Sequence, residues 1–218
     1  MIDPGHNGAN GSHTAEINAL VDIGNGRKAC NTTGTATNAG YPEHAFNWDV
    51  ANRVAERLRG QGFTVVLTRP DDNGWGPCVT ERAAIANRAG AAAFVSIHAD
   101  GGPPSGRGFH IIMPADTEGL TDDIFESSRA LGAAMHTAID QGTDMPPADY
   151  IGDRNGFDTR SDLGGLNMND VPAVYVESGN MRNAADAALI MDDQFRDQFA
   201  DAVAAGIASF VRGGDGTG

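Results

Sequence analysis

The chain has 218 residues, 40% of them hydrophobic, which suits one domain with a sizeable core and is too short for two large ones. No apolar run approaches the roughly 18 residues that cross a bilayer, so membrane insertion is not expected. Fifteen Lys and Arg against 29 Asp and Glu leave a formal net charge of −14, which opposes broad attraction to nucleic acid or anionic lipid.

Met1-Ile2 reads as the tail of a strand whose earlier residues are missing, and no basic stretch followed by an apolar run stands in front of it. A trimmed N-terminal signal is therefore expected. The stretch 8–40 is polar and glycine-rich, longer than ordinary connections, and reads as the rim of a site or a mobile flap. A helix follows over Glu43 to Arg59, with Phe46, Val50, Val54 and Leu58 at fourfold spacing. Strands are predicted at 63–68, 94–98, 109–113 and 173–176, with helices at 80–89, 122–139, 184–191 and 193–211 between and after them. The stretch 141–169 is a second long polar rim, and 213–218 reads as a disordered tail. Alternating strand and helix implies an α/β fold. The sheet is expected to be mainly parallel and twisted, of about five or six strands, with helices on both faces.

Cys30 and Cys78 are the only cysteines, so four-cysteine metal sites are excluded. Both lie in loop-like segments, where a single disulfide is plausible and would imply an oxidising compartment.

Of the six histidines, His6 follows the first strand and His98 ends the third predicted run. In an open parallel sheet the carboxyl ends of the strands share the rim at which ligands bind. Glu177 arrives at the same rim after the apolar run Pro172–Val176, where an acid is costly unless paired or bound. Two imidazoles and a carboxylate are a first shell of catalytic zinc sites. On residue chemistry alone the third ligand is either Glu43, which opens a helix, or Glu177. Asp3 and Asp100 flank the histidines and are candidates to orient their rings, with turn or cap roles as the alternative. His13, His44 and His136 read as loop or helix-face residues, and His110 falls on a strand where it faces either core or solvent.

The order Asp3-Pro4-Gly5-His6, Glu43 at a helix start, Leu67-Thr68-Arg69 with Asp71, Arg82, Asn87, Ser96-Ile97-His98-Ala99-Asp100, and Pro172 to Glu177 with Gly179 and Asn183 resembles the zinc-dependent N-acetylmuramoyl-L-alanine amidases. It looks most like the small single-domain members without a cell-wall-binding module. The resemblance implies one zinc ion held by His6, Glu43 and His98, with Glu177 as acid/base. It also implies cleavage of the amide between the lactyl group of N-acetylmuramic acid and L-alanine. Peptidoglycan fragments would be the partners and the cell-wall space the location, with the chain acting as a monomer. One departure is Gly165-Leu166-Asn167-Met168-Asn169, where many members carry an arginine, so no substrate contact is carried over there. Arg107 and Arg160 are instead expected to hold stem-peptide carboxylates. The rival readings are a catalytically silent wall-binding module and a zinc peptidase or deacetylase cutting another bond.

Overall fold

Alternate residues of the central strands face two different cores, and that alternation places the site. In the computed structural model, which describes residues 1–214, β1 (Ile2–Pro4), β4 (Phe94–Asp100), β7 (Ala173–Asn180), β5 (His110–Pro114) and β6 (Phe157–Arg160) form one sheet in the order β1-β4-β7-β5-β6. Three pairings are parallel and β5 runs antiparallel to β7, so the expected α/β sheet is present and mostly parallel. Val95, Ile97, Val174, Val176 and Ile111 enter the larger core, whereas Phe94, Ala173, Tyr175 and Ile112 enter a smaller one on the opposite face.

The larger core is covered by α2 (Glu43–Gly60), α4 (Phe125–Gly142) and α7 (Asp193–Gly214), with α6 (Ala184–Met191) beside α7. In α2 the side chains of Phe46, Val50, Val54 and Leu58 are all buried, as their spacing predicts. The smaller core is covered by α3 (Val79–Arg88) and the short α5 (Gly164–Asn167). Helices thus lie on both faces.

The segment 63–68 is not a regular strand. Ile2 donates to Val66 O and accepts from Thr68 N, a single parallel bridge at Leu67. The ladder ends because Pro4 has no N–H to extend it and β1 is only three residues long. The two polar rims also hold structure that periodicity did not reveal. α1 (Thr14–Ile17) and a hairpin of β2 (Leu20–Asp22) and β3 (Arg27–Ala29) lie in the first, and β6 and α5 in the second. These elements are too short for a hydrophobic period to register. The terminal helix includes Gly213 and Gly214, past its predicted end, and the rest of the expected tail lies outside the described residues. No helix among the described residues is long and apolar enough to cross a membrane.

Cys30 and Cys78 form the expected disulfide across 48 residues of sequence. Cys30 O also accepts from Val79 N, so the bridge ties the hairpin to the start of α3. Closing a loop of that length contributes about 4 kcal/mol in the chain-entropy account. Replacing both cysteines by serine is expected to lower Tm by roughly 10 °C in scanning calorimetry; an unchanged Tm would show that the bridge adds nothing.

Candidate metal centre

β1 delivers the first donor through a strained turn. Gly5 N binds Ile97 O at 3.0 Å, and His6 then adopts φ 59°, a left-handed conformation uncommon outside glycine. Gly5 has to be glycine, since a Cβ there would lie 2.2 Å from the His98 ring. His6 Nδ1 lies 3.0 Å from Thr32 O, which fixes the ring and turns Nε2 toward Glu43. The loop carrying Thr32 is seated by Asn10, whose amide donates to the same carbonyl at 2.7 Å.

Glu43 opens α2 directly after Pro42 and is buried. Its Oε1 lies 3.1 Å from His6 Nε2 and 3.0 Å from His98 Nδ1, while Oε2 accepts from Thr35 N at 2.9 Å. Gly34, at φ 75°, keeps the loop backbone close enough for this, because a Cβ there would meet Oε2 at 2.7 Å. Burial alone would raise the Glu43 carboxyl, but His6 and His98 hold it well below the ordinary carboxylate range. Burial keeps His98 below the usual imidazole value, favouring the neutral ligand form, and its ring stacks on Tyr175 at 5.1 Å.

These three donor atoms lie within 4.8 Å of one another. Two imidazole nitrogens and one carboxylate, the carboxylate buried and the two histidines only slightly exposed, suit zinc in number and chemistry. A fourth position is open, because the trio lines a cavity of about 480 Å³ shared with Glu177, Arg160 and Lys28. Glu177 is paired in register with His98 across β4 and β7. Its Oε2 is buried without a hydrogen-bond partner, which leaves Oε1 as the oxygen that reaches the cavity. Burial pushes the Glu177 carboxyl well above its ordinary value, reinforced by Glu43 and Asp100 and opposed by Arg160. A cation held by the trio acts in the opposite sense to Glu43.

The chain matches the N-acetylmuramoyl-L-alanine amidase family model over residues 1–209. It is an amidase of that family. The N-acetylmuramoyl-L-alanine amidase Rv3717 of Mycobacterium tuberculosis is 44% identical over 212 residues, covering 97% of this chain and 85% of that protein. The crystal structure of the N-acetylmuramyl-L-alanine amidase Ami1 from Mycobacterium smegmatis superposes with a TM-score of 0.90 at 44% identity, covering 97% and 95% of the two chains. Ami1 from Mycobacterium abscessus gives 0.89 at 42% identity, covering 96% of each chain.

The remaining expectations divide within this amidase fold. Arg160 lines the cavity, where it forms a bidentate pair with Asp162 at 2.7 and 2.9 Å. Arg107 does not line it. Its guanidinium binds Asp186, which is fully buried and also accepts from Gly108 N and Asn180 N, so Arg107 clamps a loop to α6. Asp3 does not orient a ligand histidine either. It accepts from Arg82, Ser96 and Thr68, because an acid buried in that core needs the cation of Arg82. Asp100 instead accepts from the Tyr150 hydroxyl at 2.9 Å. His44 pairs with Asp72 at 2.7 Å, His13 stacks on Trp75, and His136 stacks on Phe157. Thr32, Tyr175 and Lys28 were not legible as site residues, since a backbone carbonyl, a core aromatic and a hairpin lysine carry no local signature.

Proposed function

We propose that this amidase is zinc-dependent and hydrolyses the amide joining the lactyl group of N-acetylmuramic acid to L-alanine of the stem peptide. The observation that carries this reading is the convergence of His6, Glu43 and His98 with Glu177 beside them on the same face of the sheet. His6, Glu43 and His98 would hold one zinc ion per chain, which supplies Lewis acidity that acidifies water and polarises the scissile carbonyl. Glu177 Oε1 takes the proton of the attacking water and returns it to the leaving amine nitrogen. Tyr175 and Thr32 O hold the two imidazoles against rotation during that transfer.

Two cations, Arg160 and Lys28, share the single carboxylate of Asp162 at the cavity wall, which leaves a positive surplus there in a chain of net charge −14. That surplus suits a stem-peptide carboxylate. Arg160→Ala is expected to raise KM for a muropeptide several-fold with kcat little changed, and an unchanged KM would remove Arg160 from substrate binding. Peptidoglycan fragments are then the partners, and the disulfide suits action outside the cytoplasmic membrane. A silent wall-binding module is disfavoured because all four chemical groups are in place.

Mass spectrometry of a muramyl tripeptide incubated with the protein, with chelator and with added zinc, tests the proposal. Release of a free L-alanyl peptide, lost on chelation and restored by zinc, is the expected result. A muropeptide left intact by the zinc-loaded protein, or cut at another bond, would overturn it.

A further inference from the structure

β7 is flanked by β4 and β5, and both place a histidine opposite Glu177: His98 on one side and His110 on the other. Side chains paired across neighbouring strands share a face, so His98, Glu177 and His110 form one row across three strands. Cβ atoms of directly opposed residues lie roughly 4.5–5.5 Å apart, within reach of a hydrogen bond between imidazole and carboxylate. Glu177 Oε2 and His110 Nδ1 are both fully buried, and both lack a hydrogen-bond partner. Buried unpaired polar atoms are rare and costly, and here a donor-capable and an acceptor atom stand unpaired on neighbouring strands.

Asp100 is already engaged on both oxygens, and Asp158 stands opposite Ile112 rather than His110. Asp100 takes the Tyr150 hydroxyl at 2.9 Å on one oxygen and Gly101 N at 2.6 Å on the other. The Tyr150 ring meets the His110 ring edge-on at 6.2 Å, closing its flank. Asp158 accepts from Thr159 N. With His110 only 3% exposed, Glu177 is the directly opposed acceptor and its Oε2 has no other partner.

We infer that His110 is the positioning residue for the catalytic base. Its Nδ1–H donates to Glu177 Oε2 in the working enzyme and fixes the carboxylate so that Oε1 faces the reacting water. The inference rests on the assignment of Glu177 as acid/base made above. His98 and His110 thereby do different work from one row: one holds the metal, the other holds the base.

The test uses the zinc-loaded chain and a muropeptide. His110→Leu fills the space without a donor and is expected to lower kcat roughly 100-fold, the cost of a base misplaced by about 1 Å, with KM and bound zinc unchanged. His110→Asn carries an amide N–H where Nδ1–H stands and is expected to recover most of that loss. A purely structural histidine would lower Tm in both variants and would not separate kcat from KM. Nitrogen NMR of the zinc-loaded protein reads the same pairing without turnover: His110 is expected as the Nδ1–H tautomer, with a resonance that moves in Glu177→Ala. Unchanged kcat in His110→Leu, equal loss in the Leu and Asn variants, or a His110 resonance indifferent to Glu177→Ala would each overturn the inference. Should the Leu variant fail to fold, the Asn variant and the NMR signal decide it. A wild-type chain that leaves every muropeptide intact while showing the NMR coupling would sink the amidase reading and leave the pairing standing.

Discussion

Glu177→Gln is expected to lower kcat roughly 10³-fold while bound zinc stays at the wild-type level, read by metal analysis alongside turnover of a muropeptide. The expectation follows from the separation of roles in the cavity. Glu43 touches both histidines through Oε1, whereas Glu177 makes no hydrogen bond to either and leaves Oε1 open. An amide in place of Glu177 preserves size and removes only the ability to take a proton. His6→Ala is the contrasting variant: it removes one of the three proposed donors, so zinc is expected to be lost together with activity. Equal loss of metal in the two variants would show that Glu177 is a ligand and that the assignment of base is wrong.

Arg82→Met costs roughly 3–5 kcal/mol of stability, the magnitude expected when one partner of a buried ion pair is removed. Arg82 is 2% exposed and binds Asp3 at 2.6 Å, together with the carbonyls of Pro4, His6, Gly76 and Pro77. It thus joins β1, the His6 turn and the loop leading into α3. Releasing the His6 carbonyl also loosens a proposed metal ligand, so weaker zinc binding is expected to accompany the loss. Denaturant unfolding of the zinc-free protein isolates the stability change, and a loss below 1 kcal/mol would contradict the account.

The pH dependence of the same variant has a definite sign. Burial alone would raise the Asp3 carboxyl, but Arg82 and the Ser96 and Thr68 hydroxyls hold it below its ordinary value of 3.8. The stability it contributes is present above that value and is lost as pH falls through the lower folded one. Without Arg82, burial dominates and the folded carboxyl rises. The variant then gains stability on acidification near pH 4, where the native chain begins to lose it.

Much of the fold and the candidate site residues are legible in the sequence. The fourfold period of Phe46 to Leu58 marked α2, and the β-branched runs marked β4, β5 and β7, because burying an apolar stripe imposes the period of the element on the chain. His6, Glu43, His98 and Glu177 were identifiable because they stand at element ends in motifs that resemble a known family. That resemblance, rather than residue chemistry, is what separates Glu43 as the proposed ligand from Glu177 as the proposed base.

Tertiary structure decided what depends on pairing between distant segments. The antiparallel placement of β5 against β7 brings His110 opposite Glu177, and strand register has no trace in local sequence. Arg107 and Arg160 look alike as loop arginines, yet one meets buried Asp186 and the other the cavity, because only the folded chain fixes which acid each encounters. For Asp3 the sequence leaves a histidine partner and a turn or cap role open, and the fold places Arg82 beside it instead, since a buried charge takes the nearest opposite charge that packing provides. Local sequence encodes period and residue chemistry; the partner of each polar group is set by the contacts the closed fold makes between segments far apart in the chain.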